Sequence, residues 1–255
     1  MQEQYPAGRR VGFVTGGSQG IGAAIALELA RDGFDLAVSA TRIEKLSDTI
    51  EQLAPTGARV VPVVLDLRSL PSMERAMAQV ASVFGHLDVL VNNAGITLRK
   101  AALEVTAGEW DAVIETNVKG TFFLSQQMGR HLIGSGRPGC IINLASTHGV
   151  VGFAQRSTYG ISKAAIIHMT RMLAIEWADH GIRVNAVAPG TVETPSRAAA
   201  FSANPDFREA MMKRIPLHRF ATVEEVAGAV RYLASSQATY ITGHTLLLDG
   251  GLTAY

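Results

Sequence analysis

Short, unbroken apolar runs recur along this chain, each followed by a stretch with helical periodicity. Val11–Thr15 (VGFVT) passes through a glycine turn into the apolar helix Ile21–Asp32, then into Phe34–Ser39 (FDLAVS) and a helix near Glu44–Leu53. Ala58–Leu65 (ARVVPVVL), a helix over Ser72–Phe84 and Leu87–Asn92 (LDVLVN) continue the alternation. Cys140–Ser146 (CIINLAS), Ile182–Ala188 (IRVNAVA) and Thr245–Asp249 (TLLLD) supply the later strands. Runs that are apolar at successive positions, not alternate ones, belong to strands covered on both faces, as in a parallel sheet. The alternation predicts one α/β domain over 1–255, a doubly wound Rossmann-type parallel sheet flanked by helices. Two long helices are expected around Asp111–Leu132 and Tyr159–His180. Between Gly190 and about Arg219 the pattern fails, with Pro195, Asn204-Pro205 and Pro216 around an Ala-rich piece. This stretch, 190–219, is expected to be a substrate loop, because long loops in compact domains are often active-site lids.

Composition narrows the function classes. Apolar residues make up 47% of 255 positions, enough for a substantial core, and charged residues only 18%. The formal net charge of +1 gives no electrostatic reason to expect nucleic acid or a membrane surface as partner. Cys140 is the single cysteine, and no Cys/His cluster has metal-ligand spacing, so neither a disulfide nor a metal is expected. No apolar run approaches the roughly 20 residues that span a bilayer. The residues before Val11 lack a signal-peptide core, and a cytoplasmic protein is expected.

The segment Thr15-Gly-Gly-Ser-Gln-Gly-Ile-Gly22 sits between the first strand and the first helix. Gly16, Gly20 and Gly22 let the backbone turn tightly and approach a pyrophosphate, and the helix N-terminus offers unpaired N–H groups to its charge. Dinucleotide sites that prefer NAD carry an acid at the end of the second strand. Here that end reads Ser39-Ala40-Thr41-Arg42, and Asp35 lies at the wrong end of the strand. A missing carboxylate and a nearby guanidinium favour a 2′-phosphate, hence NADP, with NAD as the alternative.

Tyr159-Gly-Ile-Ser-Lys163 opens one of the long helices, and the four-residue spacing puts phenol and ammonium on one face. Thirteen residues upstream, Ser146 ends a strand. The C-terminal strand ends of a parallel sheet form the ligand crevice, so the three groups are expected to converge.

Taken together, TGGSQGIG at 15–22, Asp66-Leu67, Asn92-Asn93-Ala94-Gly95, Asn117 in ETNVKG, Ser146, YGISK at 159–163, Pro189-Gly190-Thr191-Val192-Glu193-Thr194 and YITGHTLLLDGG at 240–251 resemble the short-chain dehydrogenase/reductase family. The match covers nearly the whole chain. It implies an oxidoreductase that interconverts a carbonyl and a secondary alcohol with NAD(P)(H), catalysed by Asn117, Ser146, Tyr159 and Lys163. It implies a cofactor site formed by Gly16, Ser18, Gln19, Gly20, Ile21 and Gly22, with Thr41 and Arg42 at the second strand's end. Asp66, with Leu67, would bind the adenine amino group. Asn92, Asn93, Ala94 and Gly95 would support the adenosine side and the central strand. Pro189, Gly190, Val192 and Thr194 would face the nicotinamide, and Tyr159 and Lys163 would also touch the cofactor. Asn117 would hold a water linking Lys163 to solvent. A homotetramer packed through the two long helices is a further implication.

The chemistry is consistent with these residues. A carbonyl accepting hydride needs a proton, and tyrosine, with an ordinary pKa of about 10, is a poor base at neutral pH. A Lys163 cation and an oxidised nicotinamide are expected to lower that value, while Ser146 orients the carbonyl. The substrate is expected to be small and polar (a sugar, polyol or keto compound), met by Ser146, His148, Arg156 and Tyr159. Thr97 is a further polar candidate, whereas Leu98, Phe153 and Ala198–Phe201 would shape an apolar pocket instead. The alternative within the class is a 3-oxoacyl carrier-protein reductase. The resemblance places a basic docking residue of those enzymes where this chain has Ile175. A non-catalytic dinucleotide sensor is the alternative from another class, and it would need no proton-transfer groups.

Overall fold

The computed structural model describes residues 8–254, so the ends of the expected 1–255 span, including most of the segment read for a signal peptide, lie outside the described residues. Seven strands form one sheet: β1 Arg10–Val14, β2 Phe34–Ala40, β3 Val60–Val64, β4 Val89–Asn92, β5 Gly139–Leu144, β6 Ile182–Pro189 and β7 Thr245–Leu248. Their order is β3-β2-β1-β4-β5-β6-β7, every neighbouring pair parallel. The chain runs outward from β1 to β3, then returns to pair β4 on the other side of β1. At such a reversal the crevice beyond the strand ends takes ligands.

The helices are α1 Gly20–Arg31, α2 Ser47–Leu53, α3 Leu70–Phe84, α4 Ala107–Ile114, α5 Thr121–Ser135, α6 Ser157–Trp177, α7 Pro195–Ser202, α8 Pro205–Lys213 and α9 Val223–Ala234. Successive strand residues point to opposite faces. Val14 and Val38 accordingly pack with Ile25 and Leu29 of α1 and Val226 and Val230 of α9. Phe13 and Leu90 pack on the other face with Met73 and Met77 of α3, Leu124 and Met128 of α5 and Leu173 of α6. Among the described residues, no helix is long and apolar enough to cross a membrane.

Three sequence expectations need correction. The helix around Asp111–Leu132 is α4 and α5 joined through a π-helical stretch, Glu115–Gly120. Gly120 there lies so close to Leu67 that a Cβ would stand 2.6 Å from the Leu67 carbonyl oxygen. The second long helix starts two residues before Tyr159 and ends at Trp177, followed by a 3₁₀ turn, Ala178–His180. The segment 190–219 is no irregular loop, because it holds α7 and α8. Pro205 occupies the first turn of α8, where a missing N–H costs nothing, and the Asn204 side chain caps Phe207 N–H at 3.1 Å. Phe201 stacks on Phe220 at 4.8 Å beside Ile215, forming a small apolar cluster of their own.

Candidate active site

The glycine turn is tight, with backbone and side-chain atoms where Cβ atoms would stand. Gly16 and Gly20 have φ of +66° and +57°, the left-handed region that glycine enters without steric cost. A Cβ on Gly22 would lie 2.2 Å from the Gly16 carbonyl oxygen and 2.5 Å from Asn93 Nδ2. The extended residue Gln19 precedes α1 and no side chain caps that helix. Its first-turn N–H groups thus lack intrahelical or capping partners, which suits a pyrophosphate. Ser18 is half-buried and Gln19 exposed. Asn93 fastens the turn to the end of β4: its Nδ2 donates to the carbonyls of Thr15 (2.9 Å) and Gly16 (3.0 Å). The N–H groups of Asn93 and Ala94 both donate to Thr15 Oγ1 at 3.0 Å. Asn92 points inward instead, donating to Ser125 and Asn143.

Beyond β2, Thr41 and Arg42 are exposed, and Lys45 Nζ donates to Thr41 Oγ1 at 3.3 Å. The Gly17 N–H donates to the Ser39 carbonyl at 2.9 Å, holding this strand end beside the glycine turn. Beyond β3, the Asp66 carboxylate accepts from Arg68 N–H (2.9 Å) and Nε (3.4 Å), and Leu67 is buried against Gly120.

Ser146 follows β5 and caps a 3₁₀ turn, accepting from His148 N–H at 3.2 Å and lying 3.3 Å from His148 Nδ1. Tyr159 and Lys163 rise from the first turns of α6. The Lys163 ammonium is buried, donates to the Leu144 carbonyl and stands 5.8 Å from the Tyr159 ring centroid. Ser146, Tyr159 and Lys163 line one cleft of about 180 Å³. Ile21, Asn93 and Gly95 reach it from the side of the glycine turn, and Pro189, Gly190, Val192 and Thr194 from the end of β6. His148 and Arg156 reach it too, while Thr41, Arg42, Asp66 and Leu67 lie outside it. Asn117 is buried behind it: Oδ1 accepts from Ile96 N–H (2.8 Å), and Nδ2 donates to Ile96 O (2.9 Å) and Ser162 Oγ (3.1 Å). Its side chain thereby holds the loop that follows the Asn-Asn-Ala-Gly turn.

The electrostatics of the cleft bring in two further cations. Burial pushes the Tyr159 phenol above its ordinary value, and the Ser146 hydroxyl, then Arg197 and Arg156, pull it down. These two arginines thus join Lys163, 5.8 Å from the ring centroid, as cations around the phenol. Burial alone holds the Lys163 ammonium down at about 8. His148 is lowered to about 4, by burial first and then by Arg156 and Arg197, so its imidazole is neutral at pH 7. Arg197, on α7, is the site residue that sequence reasoning missed. It lies in the Ala-rich piece without periodicity, and only the fold brings it beside Tyr159. The Leu144 carbonyl was equally invisible, because a backbone acceptor leaves no mark in a residue pattern.

Known proteins resemble this chain over nearly its full length. A family model described as Enoyl-(Acyl carrier protein) reductase matches residues 16–253. The 2-dehydro-3-deoxy-D-gluconate 5-dehydrogenase of Escherichia coli is 37% identical over 245 residues, 96% of each chain. A 3-oxoacyl-(acyl-carrier-protein) reductase of Staphylococcus aureus is 39% identical over 241 residues, 94% of this chain and 96% of that one. The crystal structure of an actinorhodin polyketide ketoreductase variant with NADPH superposes with a TM-score of 0.91 at 35% identity, covering 97% of this chain and 98% of that one. With its motifs in family order and this coverage, the chain belongs to the short-chain dehydrogenase/reductase family.

Proposed function

We propose that Tyr159 is the proton-transferring group of this enzyme and that NADPH is its preferred cofactor. The chain is an oxidoreductase that interconverts a carbonyl and an alcohol on a small substrate with a nicotinamide dinucleotide. The observation that carries the assignment is the convergence of Ser146, Tyr159 and Lys163 on one cleft, beside the uncapped start of α1. When bound, the cofactor supplies or accepts the hydride. Gly16 to Gly22 would hold its pyrophosphate; Asn93, Ala94 and Gly95 would flank its adenosine half; Pro189 to Thr194 would flank its nicotinamide. Ser146 Oγ donates to the substrate oxygen and fixes its direction. Tyr159 gives that oxygen a proton in reduction and removes it in oxidation. Lys163, fixed by Leu144, keeps a positive charge near the phenol and would bind the cofactor's ribose. Asn117 positions the loop wall through Ile96 and would hold a water that links Lys163 to solvent.

Thr41 and Arg42, exposed beyond β2 with no carboxylate at Ala40, support the 2′-phosphate of NADP. Asp66 fits the adenine edge, although it also meets Arg68. Ile175, 76% exposed, supports a small free substrate over a carrier protein, because its position offers an acidic partner no charge. Apolar residues exposed on α5 (Phe122, Ile133) and α6 (Ile161, Met172) support a homotetramer packed through these helices, which we place in the cytoplasm. The test is a spectrophotometric panel of keto, sugar and polyol compounds and acetoacetyl–carrier protein, run with NADPH and NADH. A small polar compound should give the highest kcat/KM, and with NADPH. A tenfold advantage of the carrier-protein substrate, or of NADH, would reverse the corresponding assignment.

A further inference from the structure

Arg156 and Arg197 both line the cleft that holds Ser146, Tyr159 and Lys163, and no carboxylate lines it. With Arg99 they also line an adjoining chamber of about 400 Å³ under α7 and α8, again without a carboxylate. Among the described residues none of the three makes an ion pair. Arg156 Nη1 donates only to neutral acceptors, Thr97 Oγ1 at 3.0 Å and Leu98 O at 3.3 Å. Arg99 Nε donates to the Gln155 amide oxygen at 3.1 Å, and its guanidinium lies 4.9 Å from the Phe207 ring centroid. Other arginines of this protein have carboxylates in reach: Arg208 meets Glu193, Arg219 meets Glu225, Arg137 meets Asp88 and Arg231 meets Glu28.

Partly buried cations placed together without a counter-ion carry both a desolvation cost and mutual repulsion. The guanidinium of Arg156 is held below its ordinary range by burial, by Arg197 and by Arg99, in that order, and Arg197 by its own burial. An anion entering this cleft relieves both costs. The place of that anion is on the substrate side. Arg156 stands three residues before Tyr159 and is anchored to the Thr97–Leu98 loop, whereas the cofactor's phosphates belong at the start of α1. Phe153, Phe201 and Met211 give the adjoining chamber an apolar wall along which a carbon chain can run.

We propose that the substrate carries an oxyanion, a carboxylate or a phosphate ester, which Arg156 and Arg197 hold by paired N–H donation while its carbonyl meets Tyr159 and Ser146. Arg99 lies at the outer rim and draws the anion in. The proposal rests on the carbonyl-reductase assignment above and adds the substrate's charge.

The test compares matched probes with NADPH: 5-keto-D-gluconate against D-fructose, levulinate against methyl levulinate, and dihydroxyacetone phosphate against dihydroxyacetone. Wild-type enzyme should favour the anionic member by tenfold or more in kcat/KM, and whichever pair does so identifies the anion as carboxylate or phosphate. In Arg156→Met and Arg197→Met that ratio should fall to about one. A wild-type ratio near one overturns the proposal, and so does a ratio that survives both substitutions. A tenfold loss of NADPH affinity in Arg197→Met, read from cofactor fluorescence, overturns it as well, because Arg197 would then serve the cofactor. Calorimetric titration of the protein–NADP⁺ complex with the same pairs separates the two claims. Tighter anion binding with no turnover of any probe overturns the carbonyl assignment and upholds the arginine site, whereas equal binding of both members overturns the arginine site.

Discussion

Lys163 carries its charge where charge is costly. It is buried, its ammonium is fixed to the Leu144 carbonyl, and burial holds its pKa at about 8 against an ordinary 10.5. A base lowered in the folded state binds fewer protons there than in the unfolded chain between those two values, so stability rises with pH across the window. The desolvation cost is fully present below pH 8 and relieved above it. It amounts to at most about 3.5 kcal/mol, at roughly 1.4 kcal/mol per unit. Lys163→Met removes it, so the melting temperature of wild type relative to this variant should climb between about pH 8 and 10.5. A flat difference would show that the buried ammonium is not destabilising. His148, at about 4, should contribute no ionisation between pH 5.5 and 7.5. Wild type and His148→Asn should therefore share the shape of the kcat/KM–pH profile in that range, and an acid limb near 6.5 present only in wild type would refute the neutral imidazole. At this scale the convergence of Ser146, Tyr159 and Lys163 on one cleft was legible in the sequence, from a strand end and a helix start that a parallel sheet brings together. Arg197 was not, since its meaning comes from neighbours 38 and 41 positions away in the chain, Tyr159 and Arg156.

Two glycines show how elements carry the site. Gly22 on α1 has no room for a Cβ, with the Gly16 carbonyl oxygen 2.2 Å away. Gly22→Ala must push the turn open and should cost about 1–3 kcal/mol, as overpacking does, and weaken NADPH binding. Gly228 lies inside α9, and a methyl group there would meet nothing within 4 Å. Gly228→Ala should stabilise by about 0.5–1 kcal/mol, the helix preference for alanine over glycine. Thermal denaturation of both, with cofactor titration of the first, checks the contrast, and a Gly22→Ala variant as stable and as tightly cofactor-binding as wild type would contradict the geometry of the turn. The strands were readable because both sheet faces are covered, so Phe13 and Val14 are each buried and the runs stay apolar. The helices α7 and α8 were not, because they are short and start at prolines. Their apolar residues Phe201, Phe207 and Met211 serve a separate cluster around Phe220, leaving no stripe of regular period. The π-helical stretch was hidden for a related reason: Asn117 and Gly120 answer to Ile96 and Leu67, partners distant in the chain.

For the whole molecule, the parallel sheet sets the division of labour. Strand reversal between β1 and β4 opens the crevice, the glycine turn and β4 end serve one side of it, and β5, α6 and the end of β6 serve the other. The proposed tetramer is a claim at the same scale. Light scattering should give four chains per particle, and Met172→Lys with Phe122→Lys, at exposed positions of α6 and α5, should yield smaller particles. An unchanged mass would move the interface elsewhere. The central claim, that this cleft transfers a proton through Tyr159, is tested most directly by Tyr159→Phe with the best substrate of the panel. The substitution removes one hydroxyl and little volume, so the variant should fold and bind NADPH as wild type does. Its kcat should fall at least 10²-fold, the usual contribution of a positioned acid–base group. Retention of more than about a tenth of the wild-type rate would contradict the account, because the proton would then have another source.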